Sequence, residues 1–164
     1  PTLSMLAKAQ PTIEGRKVAL LVAEGSDREL IDKLDAALIR EGARTQLVAP
    51  QIAGVKASDG ALLEINHTIA GGPSVFFDAV VLVLTDEAAA MLSSESTLIN
   101  WLRDAYGHLK VIGFTPAVEP LLTKAQIERD QGVVPLGDLK AVPEFVKAAK
   151  QGRIWEREAK LHPN

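Results

Sequence analysis

Three continuous apolar runs of strand length constrain the fold of this chain more than any other feature. They are K-V-A-L-L-V-A from Lys17, D-A-V-V-L-V-L from Asp78, and K-V-I-G-F ending at Phe114. A strand buried on both faces lacks the apolar–polar alternation of a half-exposed strand, and such strands are typical of parallel sheets. The runs therefore predict the central strands of a parallel sheet.

A helix with one apolar face follows the first run. The segment S-D-R-E from Ser26 predicts a capping box, in which Ser26 serves the amide of Glu29 and Glu29 reaches back. Gly42 predicts the end of the helix, and T-Q-L-V-A-P from Thr45 predicts the next strand. The predicted apolar face consists of Leu30, Ile31, Leu34, Ala37 and Leu38. Strand, helix and strand together predict a right-handed βαβ unit.

The remaining elements continue the alternation of strands and helices, with one interruption. Asp59-Gly60, between two short alternating segments, predicts a β-hairpin within residues 54–65. A helix ending at Gly107 and, after a short V-V-P segment, a helix over residues 143–151 are predicted further along. The inward face of the first of these helices is predicted to hold Leu98, Ile99, Leu102 and Ala105.

The predicted fold class is α/β, a doubly wound, mostly parallel sheet of flavodoxin-like type with an inserted β-hairpin. Residues 1–15 are predicted to form a linker or docking arm, residues 16–152 the flavodoxin-like domain, and residues 153–164 a charged C-terminal tail. Because the chain begins at Pro1 without an initiator Met, we expect it to be part of a longer protein.

Composition removes several classes of function. The chain has no cysteine, which excludes a thiolate nucleophile, a disulfide and a Cys-ligated metal. Its three histidines, His67, His108 and His162, have no metal-ligand spacing, so no metal site is predicted. A formal net charge of −3 favours neither nucleic acid nor an anionic membrane surface, and no apolar run approaches the roughly 20 residues of a membrane span.

Other short motifs have weak functional meaning. Asn66-His67-Thr68 matches an N-glycosylation sequon, which matters only if the protein is secreted, and the compartment stays undetermined. Gly71-Gly72-Pro73 is interpreted as a tight turn rather than a phosphate cradle. Trp101 and Tyr106 are expected to pack or to face a partner, with stacking on a ligand as the alternative, whereas Trp155, in a charged segment, could anchor an interface.

Ligands of doubly wound sheets bind at the carboxyl ends of the strands, where three loops are predicted. They are residues 24–27, 85–87 and 115–119. The first contains a single Gly, so it matches neither a dinucleotide fingerprint nor a Walker A loop, and it lacks the Ser/Thr-rich run expected of a flavin phosphate site. A nucleotide-binding regulatory module is therefore supported only by analogy of fold class.

The third loop raises the question of a catalytic corner. A nucleophilic Thr115 would need an adjacent base and an oxyanion hole, but His108 is predicted at the opposite end of the strand, and Pro116 has no N–H to donate. We therefore expect Thr115 to cap the following helix and Pro116 to occupy its first turn. The alternative is a small-molecule hydrolase or binder that uses Thr115 with Asp86, Glu87 or Glu119 as acid or base.

Several segments together resemble a known family. G-R-K-V-A-L-L-V, A-S-D-G-A-L-L-E-I, T-I-A-G-G-P-S-V-F-F-D-A-V-V-L-V and A-Y-G-H-L-K-V-I-G-F resemble the C-terminal domain of large-subunit (clade 2) monofunctional catalases. The resemblance covers residues 15–155, and G-G-P-S-V-F-F-D-A-V is its most specific part. It implies a fold related to the class I glutamine amidotransferase-like superfamily, many of whose members carry a cysteine at the strand–helix elbow.

The resemblance implies an elbow without its catalyst. The superfamily's nucleophile position falls on Thr115, followed by Pro116, and its acidic partner falls near Leu30, which cannot take a proton. Haem ligands of such catalases lie in a β-barrel core that these residues do not include, and R-D-A-Y (Arg103 to Tyr106) has the wrong spacing for a proximal haem motif. No catalytic, cofactor-binding or metal residue is predicted in this chain, and haem is expected only in the parent enzyme.

The resemblance implies a non-catalytic accessory domain of an enzyme that removes hydrogen peroxide. Its expected partners are the catalase core of the same chain and further copies in a homo-oligomer, a tetramer in the parent. A molecular chaperone role toward unfolded client proteins is also implied, and it would need exposed apolar surface.

Overall fold

A computed structural model describes residues 12–152, 154, 157 and 161. Six parallel strands form the main sheet, in the spatial order β5-β2-β1-β6-β7-β8. These strands are β1 (Lys17–Val22), β2 (Arg44–Ala49), β5 (His67–Thr68), β6 (Ala79–Val83), β7 (Val111–Phe114) and β8 (Val133–Pro135). The antiparallel pair β3 (Val55–Lys56) and β4 (Leu62–Leu63) lies apart from this sheet.

Five α-helices accompany the strands in the described part of the chain. They are α1 (Arg28–Arg40), α2 (Asp86–Leu92), α3 (Ser96–Gly107), α4 (Glu119–Lys124) and α5 (Val142–Gln151), with short 3₁₀ turns at Ser74–Phe76, Pro116–Val118 and Leu139–Ala141. None of these helices is long and apolar enough to cross a membrane. The predicted strand runs and the inward face of α3 are confirmed.

The sheet is doubly wound about its first strand. Strand β1 pairs with β2 on one side, after the α1 crossover, and with β6 on the other. The direction of winding therefore reverses between β1 and β6, and the crevice at such a reversal is the usual ligand site of this architecture. The predicted α/β fold with an inserted hairpin is confirmed.

Each face of the sheet has its own hydrophobic core. Ala19 and Leu21 of β1 point into the core covered by α2, α3 and α4, whereas Val18, Leu20 and Val22 point into the core covered by α1 and α5. The result is a three-layer sandwich in which the central strands are buried on both faces. Gly113 in β7 lets α5 approach closely, because a Cβ there would lie 2.8 Å from the Phe145 ring.

The predicted hairpin forms and covers the loop between β1 and α1. Val55 pairs with Leu63, and the turn contains Gly60 at a φ of +84°, which favours glycine. The Gly25 amide donates to the Lys56 carbonyl at 2.8 Å, and the Ser58 amide donates to the Ser26 carbonyl at 2.9 Å. The hairpin is therefore fixed to the carboxyl edge of the sheet.

The predicted capping box at Ser26 is wrong. Asp27 is the N-cap of α1, and its carboxylate accepts from the Leu30 amide at 3.2 Å. The Ser26 hydroxyl is instead fully buried: it accepts from the Ala23 amide at 2.9 Å and donates to the Val83 carbonyl at 2.5 Å. Ser26 therefore joins the ends of β1 and β6 instead of serving the helix.

Two residues of the predicted C-terminal tail pack against the domain. Ile154 and Arg157 are both buried. The Arg157 guanidinium donates to both oxygens of Asp130, at 2.8 and 3.0 Å, and to the carbonyls of Tyr106 and Lys110. The predicted boundary at residue 153 stays a prediction. Trp155, His162 and most of the predicted 1–15 arm lie outside the described residues.

Candidate functional site

The carboxyl edge of the sheet carries two clefts of similar size. One, here called the Thr115 cleft, has a volume of about 570 Å³ and is lined by residues that follow β1, β6, β7 and β8, including Asp27, Leu30, Thr115 and Asp138. The other, here called the acidic cleft, has a volume of about 550 Å³ and is lined by Glu24, Glu87 and Glu95 together with apolar residues. Both volumes lie within the usual range for small-molecule sites.

The Thr115 hydroxyl is committed to the backbone of the neighbouring strand end. It accepts from the Leu84 amide at 3.1 Å and donates to the Leu84 carbonyl at 2.9 Å, and the residue is only 9% exposed. Its single proton is therefore held by a carbonyl oxygen and not by a base. Such a hydroxyl lacks the activation that a nucleophile needs.

The Thr115 side chain does not cap the following turn, so that expectation is wrong. Pro116 does occupy the first turn of the 3₁₀ segment after β7, as predicted. The Thr115 amide donates to the Leu82 carbonyl at 3.1 Å, and Pro116 has no amide hydrogen. Neither residue thus offers an N–H to an oxyanion at this corner.

Other polar groups of the Thr115 cleft serve neighbouring backbone. One carboxylate oxygen of Asp138 accepts from the Lys140 amide at 2.8 Å, as Asp27 does from Leu30. The Ser58 hydroxyl accepts from the Arg28 amide at 3.0 Å. The contacts of Asp27 and Ser58 occupy the Leu30 and Arg28 amides of the first turn of α1, which would otherwise be available to a phosphate. Leu30, where the superfamily's acid was expected, is apolar and buried in the cleft wall.

The carboxylates considered as partners of Thr115 lie elsewhere. Asp86 and Glu119 line neither cleft, and Glu87 lines the acidic cleft. Glu119 forms an ion pair with Arg129, whose guanidinium lies 4.7 Å from the centre of the Phe114 ring. The structure therefore does not bring the three predicted acid–base candidates together with Thr115.

His108 lies outside both clefts. It follows α3 at the amino end of β7, as predicted, and its Nδ1 lies 2.8 Å from the Asp104 carbonyl oxygen. The described residues contain no group of three His, Asp or Glu side chains able to hold a metal ion.

The acidic cleft is a feature that sequence reasoning missed. It lies beyond the ends of β1, β2 and β5, under α2 and the start of α3, with Ile69, Leu92 and Leu98 in its wall. Glu24 approaches the Lys56 amide at 3.3 Å. Glu95 occupies the N-cap position of α3, but its side chain makes no capping hydrogen bond. No local pattern groups these glutamates, because they come from three separate parts of the chain.

The Gly71-Gly72-Pro73 segment forms a tight turn, as predicted. The Trp101 indole donates to the Gly72 carbonyl at 2.8 Å, and the buried Ser74 hydroxyl donates to the Trp101 carbonyl at 2.8 Å. Trp101 packs in the core rather than facing a partner. Phe76 lies in the 3₁₀ turn Ser74–Phe76 that follows, and 63% of the residue is exposed.

Comparisons with known proteins give consistent results. The family model for the C-terminal domain found in long catalases matches residues 14–159. The chain is 38% identical over 160 residues to Catalase C of Rhizobium meliloti (strain 1021), covering 96% of this chain and 23% of that protein. It is 39% identical over 147 residues to Catalase HPII of Pseudomonas putida, covering 90% of this chain and 20% of that protein.

A solved structure has a similar fold. Drosophila melanogaster DJ-1beta superposes with a TM-score of 0.68 at 16% identity, over 90% of this chain and 95% of that chain. At this identity the likeness concerns the fold alone. The chain spans about a fifth to a quarter of the length of the curated relatives named above.

Proposed function

We propose a non-catalytic, accessory role for this chain, which belongs to the family of C-terminal domains found in long catalases. One observation carries the proposal: the Thr115 hydroxyl at the strand–helix elbow is held by both backbone groups of Leu84. In this proposal, the rest of the long catalase chain, about three quarters of its length, removes hydrogen peroxide.

The described residues do not fit a haem site, which supports this division of labour. Tyr106 is the only tyrosine of the chain, and its buried ring lies 4.2 Å from the Arg157 guanidinium carbon. The His67 Nε2 atom lies 2.9 Å from the Gln46 side-chain oxygen. With these side chains engaged inside the fold, haem is proposed only for the rest of the parent enzyme.

A direct assay tests the absence of catalysis. Esterase, amidase and glyoxalase activities are measured for the wild-type chain and for Thr115→Ala. Equal background rates are expected, because the hydroxyl has no base. A rate in the wild type that the substitution abolishes would overturn the proposal.

The accessory role that we propose is stabilisation of the catalase oligomer through a rigid aromatic surface. Phe76 is exposed, but the 3₁₀ turn that bears it is fixed by the hydrogen bonds between Ser74, Gly72 and Trp101. An aromatic side chain held on a rigid support loses little entropy when it is buried in an interface. Aromatic residues, Phe among them, are enriched in the buried centres of protein interfaces.

The test of oligomer stabilisation uses the full-length long catalase. Phe76→Ser is compared with Ile39→Ser, which removes an exposed apolar side chain from α1. Phe76→Ser is expected to lower the temperature at which the oligomer dissociates, measured by mass photometry after heating, with peroxide turnover per haem unchanged. Equal dissociation temperatures for the two variants would refute a role for this surface.

A chaperone role is the second part of the proposal, supported by exposed apolar side chains. Ile52, Leu62, Phe76 and Met91 are each more than half exposed. The test is suppression of heat aggregation of a client enzyme by the chain at equal molar ratio, followed by light scattering. Suppression no greater than that by an inert protein of similar size would reject this part.

A further inference from the structure

The acidic cleft has the charge pattern of a site for a cation. Its wall holds the carboxylates of Glu24, Glu87 and Glu95, and no Lys, Arg or His lines it among the described residues. Glu87 and Glu95 have no ion-pair partner in the described part of the chain. Like charges around one concavity repel one another, and a positively charged occupant relieves that repulsion.

The same cleft offers apolar area beside these charges. Leu92 and Leu98 form part of its buried wall, and Met91, also in the lining, is 77% exposed. Methionine is flexible and polarizable, and it is common on surfaces that accept varied apolar partners. The occupant therefore needs an apolar group as well as a positive charge.

Apolar surface continues beyond the cleft on its hairpin side. Gly54 lines the cleft, and the Leu62 side chain, 69% exposed, lies against Gly54. Ile52, two residues earlier and following the lining residue Gln51, is 58% exposed. A small molecule that filled only the cleft would leave these side chains in water, whereas an extended polypeptide would cover them.

We propose that the acidic cleft binds a short polypeptide segment of a partner protein in which a large apolar side chain is flanked by Lys or Arg. The apolar side chain enters between Leu92, Leu98 and Met91, and the flanking cations face Glu87 and Glu95. Phe76 does not line this cleft, so the site does not depend on the proposed oligomer stabilisation. It shares the exposed Ile52, Leu62 and Met91 with the surface proposed for chaperone activity.

The experiment measures binding of a fluorescein-labelled Gly-Lys-Leu-Leu-Lys-Gly peptide to the intact protein by fluorescence anisotropy. Matched peptides carry Glu in place of Lys or Ser in place of Leu. Binding is expected only for the basic apolar peptide, and it should weaken as salt screens the rim charges.

Variants then locate the binding. Glu87→Gln with Glu95→Gln is expected to weaken binding about fivefold, as expected for the loss of two rim charge contacts. The control, Glu29→Gln with Glu144→Gln, makes the same charge change at exposed sites outside both clefts and should leave binding unchanged.

Two results would overturn the proposal: no binding of the basic apolar peptide, and equal weakening of its binding in the two variant pairs. Loss of this site would leave the Phe76 test and the Thr115 assays unaffected, so the failures are distinguishable.

Discussion

The two clefts at the carboxyl edge of the sheet are nearly equal in volume, about 570 and 550 Å³, but they use their polar groups in opposite ways. In the Thr115 cleft, the hydroxyl is bonded to Leu84, and oxygens of Asp27 and Asp138 hold amides. In the acidic cleft, Glu87 and Glu95 have no ion-pair partner among the described residues. Cavity size alone therefore does not distinguish a structural corner from a binding surface.

The difference between the clefts shows how polar groups are used at a strand–helix corner that lacks a catalytic residue. A strand–helix corner without a catalytic group still has buried backbone amides and carbonyls that must be satisfied. Ser26 and Thr115 meet that need, and they join the ends of β1, β6 and β7. Among the described residues the wall of the acidic cleft has no buried hydroxyl of this kind, and its Glu87 and Glu95 side chains are exposed to solvent.

The largest effect is expected where a buried hydroxyl holds two strand ends. Ser26→Ala removes the hydrogen bonds to the Ala23 amide and the Val83 carbonyl, both in a fully buried position. Leaving two buried groups without a partner should lower the free energy of unfolding by about 3 kcal/mol. Urea denaturation followed by circular dichroism measures this change, and a loss near zero would mean that water replaces the hydroxyl.

A somewhat smaller effect is expected at the elbow. Thr115→Val keeps the shape of the side chain but loses both bonds to Leu84. The free energy of unfolding should fall by about 2 kcal/mol, since the site is slightly exposed to water. The control is Thr115→Ser, which retains the hydroxyl and should cost less than Thr115→Val under the same urea denaturation. Equal losses for the two variants would contradict a structural role of the hydroxyl.

The smallest effect on stability is expected in the acidic cleft. Glu87→Gln with Glu95→Gln changes exposed side chains that hold no ion pair in the described chain. The free energy of unfolding should change by about 0.5 kcal/mol or less in the same experiment. A loss of unfolding free energy comparable with that of Ser26→Ala would mean that these glutamates stabilise the fold, as the polar groups of the Thr115 cleft do. The two clefts would then not differ in the way described here.

Most of the fold could be predicted from local patterns. The apolar runs at β1, β6 and β7 are continuous because both faces of these strands are buried. The lack of apolar–polar alternation in the sequence is enough to predict this burial. The Asp59-Gly60 turn and the end of α3 at Gly107 are marked by residue types at those positions and form where the sequence predicts them. The predicted capping box was wrong because the Ser26 hydroxyl donates to the carbonyl of Val83, 57 residues away, and does not bind an amide of its own helix.

The candidate site was less predictable for the same reason. Thr115 is bonded to Leu84, 31 residues earlier, so a local reading placed its hydroxyl on the following turn instead. Arg157 looked like part of a charged tail, but the fold surrounds it with Asp130 and the carbonyls of Tyr106 and Lys110. The three glutamates of the acidic cleft meet only when β1, α2 and α3 are assembled.

Single cysteines test the central contrast most directly, since these 164 residues contain none. Thr115→Cys and Met91→Cys each introduce one thiol, at positions that are 9% and 77% exposed in the native chain. Reaction with iodoacetamide at fixed pH is measured by intact mass. We expect the thiol at position 115 to react at least about tenfold more slowly, because it is buried and has no activating base. Equal rates, or faster reaction at position 115, would show an accessible and activated elbow and contradict this account.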